Sequence, residues 1–429
     1  MTRTFLDELA WRGLLQQQTE GAAAALSTGG ATGYCGFDAT APSLHIGHLV
    51  PITGLVHLQR SGNRPVALVG GGTGMIGDPS GRSSERTLQT LEQVAENAES
   101  IREQLSRFIE FSGHHAARLV NNADWLVPMR VVDFLRDVGK HFSVNVMLAK
   151  DSVKSRLEDG ISYTEFSYML LQAYDFLELY RREGVTLQLV GSDQWGNITA
   201  GTELIRRAAG GEAHGVTMPL VTGADGKKFG KTAEGTSVWL DAARTSPYRF
   251  YQYFVNVDDR DAGRYLRMFT LLERDAIVAL EEALTARPER REAQGALAED
   301  VTTRVHGAEA AAAAREAARI VFDRRADPHA LQRPVLEMLR GELPFARMAA
   351  TGDGAGGGLA VIDALVATGL LASRGEARRQ LQQGAVTVNG RKLSAEESAV
   401  PLDEALHGAF FLVRKGGRDV ALVELAPPA

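Results

Sequence analysis

Between about residues 32 and 225, short β-rich runs alternate with helical stretches, and this alternation constrains the fold more than any other feature of the sequence. Two such runs are Pro-Val-Ala-Leu-Val-Gly at 65–70 and Thr-Leu-Gln-Leu-Val-Gly at 186–191. The pattern predicts βαβ units on a parallel sheet, an α/β fold of the Rossmann-like kind. Ligands of such sheets bind beyond the carboxyl ends of the strands, so a site is expected in the glycine-containing turns that follow these runs.

The sequence pattern changes after this alternating region, and we predict that the chain has four parts. A Rossmann-like domain covers 1–240, an α-helical domain covers 241–335, a linker covers 336–358 and a small α+β domain covers 359–429. Strand signals vanish after about residue 245, where helix formers such as the alanine run at 308–315 dominate. The stretch 351–358 is too rich in glycine to pack. Beyond it, a β-like run at 385–388 precedes the turn Asn389-Gly390.

Composition excludes several classes of protein. No apolar run approaches the roughly 18 residues that a membrane span needs, so no membrane partner is expected. The amino terminus carries acidic residues where a secretory signal has its apolar core, and cytoplasmic residence follows as the default expectation. Cys35 is the only cysteine, which fits a reducing compartment. The net charge of −6 argues against a general binder of polyanions.

The first candidate motif is His45-Ile46-Gly47-His48. A helix that begins near His45 would direct its amino-terminal N–H groups outward, where they favour an anion, with both histidines on one face. Gly47 lacks a side chain and would let a nucleotide or phosphate approach the backbone. The alternatives are two polar residues at a helix start, or a zinc site, for which no nearby residues supply the other ligands.

The second candidate motif is the polar loop at 225–232, which contains Lys228-Phe229-Gly230-Lys231-Thr232. Lysines on a mobile loop can move onto a triphosphate as charge develops in a transition state. Alone, the loop would be an ordinary solvated run of charge. Together and in this order, the two motifs resemble the signature and lysine-loop motifs of class I aminoacyl-tRNA synthetases, which hold ATP and join AMP to a carboxylate. The serine that the wider class has between the lysines is missing here.

A helix predicted over 164–177 indicates the chemistry of the second substrate, the carboxylate that is joined to AMP. Tyr168, Gln172 and Asp175 fall at i, i+4 and i+7, so they form one polar stripe on an otherwise apolar helix. Buried polar groups need partners. The stripe therefore predicts either an internal hydrogen-bond network or a pocket for a ligand with a hydroxyl and an ammonium group, to which Tyr34 and Asp78 could contribute.

Four segments narrow the resemblance to bacterial tyrosyl-tRNA synthetases, and it spans essentially the whole chain. They cover 34–38, 77–82, 167–172 and 191–197. The tail at 373–379 and 386–390 resembles an S4 RNA-binding domain. The resemblance implies a homodimer that activates L-tyrosine with ATP to tyrosyl-adenylate and pyrophosphate. Transfer of tyrosine to the 3′ end of tRNA(Tyr) would follow.

The resemblance also implies roles for individual residues. For tyrosine it implies Tyr34 and Asp175 at the phenol, Asp78, Tyr168 and Gln172 at the amino group, and Gln194 near the carboxylate. For ATP it implies Cys35, Gly36, Asp38, Gly47, His48, Gly191, Asp193 and Lys231. For the triphosphate and leaving pyrophosphate it implies Thr40, His45, His48, Arg82, Arg86, Lys228, Lys231 and Thr232. The implied reaction is in-line attack by the tyrosine carboxylate on the α-phosphorus, with Mg²⁺ accompanying ATP, no metal site in the protein and no enzyme nucleophile.

RNA contacts are expected in the tail, where positive and negative residues balance. Arg374, Arg378 and Arg379 share a predicted helix, and Arg391-Lys392 follow the hairpin turn. Arg414, Lys415 and Arg418 also carry positive charge. Such a segregated group can bind phosphates, and the alternative is a solvated helix face. The S4 resemblance favours tRNA binding.

Two rival functions are compatible with parts of the pattern. One is another class I adenylate-forming enzyme, such as a tryptophanyl-tRNA synthetase or a small-molecule nucleotidyltransferase. The other is a non-catalytic RNA-binding protein that has kept the synthetase shell. A protein without ATP chemistry has no physical need for His45 and His48 together with Lys228 and Lys231, so these four residues favour an enzyme. Pro51, soon after His48, is compatible with a helix that starts near His45.

Overall fold

The computed structural model describes residues 4–27, 29–78, 89–154, 160–224, 226, 229–230, 236–351, 357–417 and 419–426. The strands are β1 (Gln17–Gln18), β2 (Thr32–Asp38), β3 (Arg64–Gly70), β4 (Arg118–Asn121), β5 (Leu187–Gly191), β6 (His214–Met218), β7 (Phe345–Met348), β8 (Gly358–Ala360), β9 (Val386–Val388), β10 (Arg391–Lys392), β11 (Ala399–Pro401), β12 (Phe410–Lys415) and β13 (Asp419–Leu425).

The α-helices follow the same chain order. They are α1 (Phe5–Trp11), α2 (Ala22–Leu26), α3 (Leu49–Arg60), α4 (Leu91–Leu105), α5 (Ala123–Leu126), α6 (Val131–Asp137), α7 (Val144–Leu148), α8 (Asp151–Lys154), α9 (Tyr163–Glu183), α10 (Trp195–Ala209), α11 (Pro247–Val255), α12 (Asp259–Phe269), α13 (Arg274–Ala286), α14 (Glu292–His306), α15 (Ala308–Phe322), α16 (Arg333–Arg340), α17 (Val361–Ala367) and α18 (Arg374–Gln382). The chain divides into two compact units, 1–245 with 256–305, and 246–255 with 306–429.

A six-stranded sheet organises the first unit, in the order β1-β6-β5-β2-β3-β4. Every neighbouring pair is parallel except β1 with β6. The chain runs outward from β2 to β4 and then returns to β5 on the other side of β2. The strand order therefore reverses between β2 and β5, which is where open α/β sheets form a ligand crevice. The predicted Rossmann-like sheet is confirmed.

Helix α9 crosses this unit and carries the predicted polar stripe. Ser162 caps its start by accepting a hydrogen bond from the Glu165 N–H, and Gly184 ends it with φ of 67°, a conformation that glycine adopts without strain. Its apolar side packs into a core with β2, where the rings of Phe176 and Tyr34 lie 5.2 Å apart. The same packing orients the Tyr34 side chain.

The second unit contains a five-stranded sheet in the order β10-β9-β12-β13-β7 and a smaller pair, β11-β8. Asn389 and Gly390 both have positive φ, at 48° and 81°, in the turn between β9 and β10. That turn is the hairpin type that Asn-Gly predicts. Leu336 of α16 packs with Leu412 and Leu422 of the sheet in one buried cluster.

The predicted linker over 336–358 needs a correction. It contains most of α16 and all of β7, and β7 pairs in parallel with β13. Paired backbone is part of a folded sheet and cannot serve as a linker. The helices predicted as one domain are also divided between the units, with α12 and α13 in the first and α11 and α15 in the second. The remaining domain boundaries stay predictions.

Across the described residues, no helix combines the length and the apolar character needed to cross a membrane.

Candidate active site

A cavity of about 250 Å³ opens in the first unit at the carboxyl ends of β2 and β5. Its position is the one that the reversal of strand order predicts. The cavity brings together these residues from the sequence prediction: Tyr34, Cys35, Gly36, Asp38, His48, Asp78, Tyr168, Gln172, Asp175, Gly191, Asp193 and Gln194. Pro51 lines it as well, whereas Thr40, His45 and Gly47 do not.

One end of the cavity holds a buried phenol and a buried carboxylate. Among the described residues, no atom accepts from or donates to the Tyr34 hydroxyl, although the side chain is fully buried. Asp175 accepts hydrogen bonds from the Asn122 amide (2.8 Å) and the Trp125 indole N–H (2.7 Å). Burial raises the pKa of Asp175 to about 7 despite these bonds. Burial, then the nearby Asp175, raises the pKa of Tyr34 well above its usual value.

A chain of hydrogen bonds joins Asp175 to the middle of the cavity. Asn122 also donates to the hydroxyl of Thr73 (2.9 Å), which in turn donates to Asp38 (2.8 Å). The Tyr168 hydroxyl donates to the other oxygen of Asp38 (3.0 Å). The predicted internal network is therefore present, and Tyr168 and Asp175, which belong to it, also line the cavity.

A second group of polar side chains also lines the cavity. The amide of Gln194 donates to the carboxylate of Asp78. Asn197, which is 5% exposed, donates to Gln172 (2.9 Å) and to Gln194 (2.8 Å). These bonds fix oxygen atoms of Asp78 and Gln172 on one wall, which suits a ligand rich in N–H donors.

The two histidines of the first motif are held by the backbone. The His45 N–H donates to His48 Nδ1 (3.1 Å), and the Gly47 N–H donates to His45 Nδ1 (3.0 Å). The rings lie 4.0 Å apart. The helix begins with a short 3₁₀ turn at Ile46–His48 that leads into α3. The expected outward N–H groups of His45 and Gly47 are thus occupied by imidazoles and do not point freely at an anion.

Gly36 and Cys35 of β2 both line the cavity, but they differ in how exposed they are. Gly36 is exposed, and a Cβ built on it would meet no protein atom closer than 3.9 Å, so its backbone faces open space in the cavity. Cys35 is buried, and burial raises the pKa of its thiol. A protonated thiol is a poor nucleophile, which agrees with the predicted non-covalent role.

Comparison with known proteins decides the family. The family model for class I tRNA synthetases (W and Y) matches residues 27–323, and the model for a tyrosine–tRNA ligase SYY-like C-terminal domain matches 345–423. The tyrosine–tRNA ligase of Anaeromyxobacter dehalogenans is 51% identical over 99% of this chain and 100% of its own length. That of Roseiflexus castenholzii is 50% identical over 98% and 99%.

The chain belongs to the tyrosine–tRNA ligases. A solved structure agrees: a C-terminally truncated mitochondrial tyrosyl-tRNA synthetase from Aspergillus nidulans superposes with a TM-score of 0.68 at 30% identity, over 75% of this chain and 94% of that one. The prediction of a class I synthetase of the tyrosine type is confirmed, and the tryptophanyl alternative is set aside by the full-length relatives.

Several residues predicted for this synthetase lie outside the described part of the chain. They are Arg82, Arg86, Lys228, Lys231 and Thr232.

Sequence reasoning missed other residues that build the site. Thr73, Asn122, Trp125 and Asn197 act through hydrogen bonds to predicted residues, and nothing in their local pattern distinguishes them. Gln188 is different, because it is the single polar side chain within the apolar strand β5 and it lines the cavity. A polar residue inside a buried parallel strand was a signal that could have been used.

Proposed function

We propose that the cavity is where this ligase activates L-tyrosine with ATP, forming tyrosyl-adenylate and pyrophosphate before transfer to the 3′ end of tRNA(Tyr). One observation carries the assignment: the Tyr34 hydroxyl, which has no hydrogen-bond partner among the residues that the structure describes, lies in the cavity together with the Asp175 carboxylate. A phenol can accept one hydrogen bond and donate another, so it can satisfy both groups at once. Phenylalanine would leave them unpaired, and tyrosyl-tRNA synthetases are the standard example of such selection without editing.

Other side chains that line the cavity suit the substrate's ammonium group. Tyr168 donates its proton to Asp38, so the lone pairs of the Tyr168 oxygen remain to accept an N–H. Asp78 and Gln172 add a carboxylate and an amide oxygen, each oriented by a neighbouring amide. Gln194, which contacts Asp78, would approach the tyrosine carboxylate.

The chemical step needs no acid or base from the protein. The tyrosine carboxylate is ionised at neutral pH, so it attacks the α-phosphorus directly. A new carboxyl O–P bond forms as the bond from that phosphorus to the bridging oxygen of pyrophosphate breaks. Catalysis would rest on alignment and on charge stabilisation. Cys35, Gly36, Asp38, Gly47, His48, Gly191 and Asp193 would bind ATP, and Thr40, His45, Arg82, Arg86, Lys228, Lys231 and Thr232 would stabilise its phosphates.

Magnesium enters the proposal as a companion of ATP. Within the described residues, no group of three or more His, Cys, Asp or Glu side chains is arranged to hold a metal ion. Mg²⁺ commonly keeps most of its ligands as phosphate oxygens and waters, and that mode fits this donor set.

Pyrophosphate exchange tests the assignment. We expect exchange with tyrosine and ATP, and none with phenylalanine or tryptophan. Asp175→Ala should abolish tyrosine binding, measured by calorimetry, while largely sparing ATP binding. Val278→Ala is a suitable control, because Val278 is an exposed residue of α13. Normal tyrosine affinity in Asp175→Ala would contradict the assignment.

A homodimer is proposed as well, with its interface on the exposed apolar side chains of two helices, Val131, Val132 and Leu135 of α6 and Val144 and Val146 of α7. These side chains are 51–73% exposed, and α6 buries none of its residues. An exposed apolar group of this kind suits a second copy of the chain. The double variant Val131→Asp/Val132→Asp should sediment as a monomer, and Val278→Asp should not change the mass. An unchanged mass in the double variant would place the interface elsewhere.

The proposed roles are catalysis for 1–240, contact with the anticodon region for helices within 241–335, which belong to both compact units, and tRNA binding for 359–429. Within the last, Arg374 pairs with Asp363 (2.8 Å), and Arg391 pairs with both Glu397 (2.5 Å) and Glu404 (3.1 Å). No ion pair to a described residue involves Arg378, Arg379 or Lys392. These three are the cations we expect to bind tRNA phosphates most strongly.

Cytoplasmic residence is part of the same proposal. It is supported by a role in translation and by a single, buried cysteine, which suits a reducing compartment.

A further inference from the structure

The chain around His45 pairs with a distant segment in a short antiparallel bridge. Two backbone hydrogen bonds, of 3.0 and 2.8 Å, join residues 44–46 to residues 238–240. His45 and Trp239 are the register partners between these two bonds. A pair that is flanked by backbone hydrogen bonds, and not joined by them, brings its two side chains especially close. The backbone therefore fixes the indole of Trp239 beside the imidazole of His45.

Trp239 lies on the face of this segment that is turned away from the core. Val238 and Leu240 are buried, whereas Trp239 between them is partly exposed. Successive side chains of an extended segment point to opposite faces, and register partners share a face, so the indole lies with His45. Burial in the core therefore does not account for an aromatic residue at position 239.

The imidazole of His45 is held by three contacts. Its ring centre lies 6.2 Å from that of Trp239, in an edge-to-face arrangement at 62°, and 4.0 Å from that of His48. Its Nδ1 accepts a hydrogen bond from the Gly47 N–H. A neutral imidazole that accepts at Nδ1 carries its proton on Nε2, from which it can donate to a phosphate oxygen. The three contacts together set the direction of that donor.

Trp239 is itself fixed by the turn that follows it. Its backbone N–H donates to the hydroxyl of Thr245 (3.0 Å), which is 7% exposed. The guanidinium carbon of Arg244 lies 5.7 Å from the centre of the indole, a distance at which a cation is attracted to an aromatic ring. Arg244 also pairs with Asp241 (3.8 Å). The indole can therefore act as a fixed support for a neighbouring ring.

The segment that carries Trp239 also contacts the second motif. The Val238 N–H donates to the carbonyl of Gly230 (3.0 Å), a residue that lies between the two lysines in sequence. A Cβ built on Gly230 would lie 3.6 Å from the side chain of Ile46 and 3.8 Å from the backbone nitrogen of Gly47. Residues 238 and 239 thus join the two motifs that are proposed to stabilise the phosphates of ATP.

We propose that Trp239 is a positioning residue for adenylate formation, whose indole holds the His45 imidazole in the orientation that meets the phosphates as pyrophosphate leaves. The inference rests on the proposed role of His45 and extends it. Trp239 acts through His45 and does not line the cavity assigned to tyrosine. Its contribution should therefore appear in the chemical step and not in the binding of the amino acid.

The test compares Trp239→Leu and Trp239→Phe with the unsubstituted full-length enzyme. Single-turnover kinetics give the rate constant for tyrosyl-adenylate formation, which does not depend on the fraction of folded protein. We expect this rate constant to fall about tenfold in Trp239→Leu, while the affinity for tyrosine stays the same. Trp239→Phe keeps an aromatic edge beside the imidazole, so its rate constant should stay within about threefold of the original.

A double-mutant cycle with His45→Ala separates positioning from a general structural role. If Trp239 acts through His45, adding Trp239→Leu to His45→Ala should lower the rate constant by less than about twofold. Trp11→Leu is the matched control, because Trp11 is also a partly exposed indole with a guanidinium carbon 5.7 Å from its centre, that of Arg12. Trp11 lies outside both motifs and the cavity lining, so its loss should leave the rate constant unchanged.

Two results would overturn the inference. One is an unchanged rate constant in Trp239→Leu. The other is a tenfold loss in Trp239→Leu that is equally large when His45 is already alanine, which would mean that the indole does not act through the imidazole. Absence of tyrosine-dependent adenylate formation in the unsubstituted enzyme is a different outcome, because it would remove the proposed function itself.

Discussion

The backbone N–H of Gly47 donates a hydrogen bond to Nδ1 of His45, and a Cβ on residue 47 would lie 2.8 Å from Cε1 of the same imidazole. Glycine is therefore needed at this position to seat His45, which sequence reasoning did not foresee. We predict that Gly47→Ala displaces the ring and lowers kcat for adenylate formation by at least about tenfold. The affinity for tyrosine should not change, because residue 47 does not line that cavity. Pre-steady-state kinetics would show this, and an unchanged rate would contradict it.

Gly36 is a contrasting case, because no protein atom approaches a Cβ built there within 3.9 Å. The protein itself would tolerate alanine, so any cost must come from a ligand that approaches the backbone. We predict that Gly36→Ala leaves Tm unchanged and raises KM for ATP about tenfold. Exchange kinetics at varied ATP check this. A normal KM would show that ATP does not pass close to Gly36.

How much of the fold and of the site could be predicted from the sequence depends on the kind of interaction involved. The parallel sheet followed from alternating patterns, and the residues that touch the cavity followed from a family resemblance with specific motifs. The polar stripe of Tyr168, Gln172 and Asp175 needed only helical geometry.

Residues that act through other residues could not be found in this way. Asn122 reaches Asp175 across 53 positions of sequence, and Asn197 reaches Gln172 across 25. Such pairs depend on how elements pack, which local periodicity does not encode. The division into two compact units could not be predicted from the sequence for the same reason, since the pairing of β7 with β13 joins segments that are distant in sequence.

Asp175 should make stability depend on pH in an unusual direction. Its pKa is raised from 3.8 to about 7, so the folded state holds the proton more tightly than the unfolded state does. The free energy of unfolding that this tighter proton binding adds is fully present below about pH 4 and is lost as the pH rises towards 7. Relative to Asp175→Ala, the wild-type free energy of unfolding should fall by about 3 kcal/mol between pH 5 and pH 8. Urea unfolding of both proteins across this range measures it, and a constant difference would refute it.

The arginines of the tail should fall into two kinds, a structural one represented by Arg414 and an RNA-binding one represented by Arg378. Arg414 is 8% exposed and donates to the backbone carbonyls of Ile320 and Val321 near the end of α15, so it is not available to RNA as the charge count in the tail assumed. Arg378 is exposed on α18, with no ion pair to a described residue.

We predict that Arg414→Met lowers the free energy of unfolding by about 2 kcal/mol, because buried carbonyls lose a charged donor. The salt dependence of tRNA binding should stay the same in this variant. Arg378→Ala should have the opposite effect, with unchanged Tm and a slope of log K against log salt that is smaller by about one. Filter binding of tRNA(Tyr) at several salt concentrations, together with thermal unfolding, distinguishes the two. A reduced slope in Arg414→Met would mean that its guanidinium reaches phosphate after all.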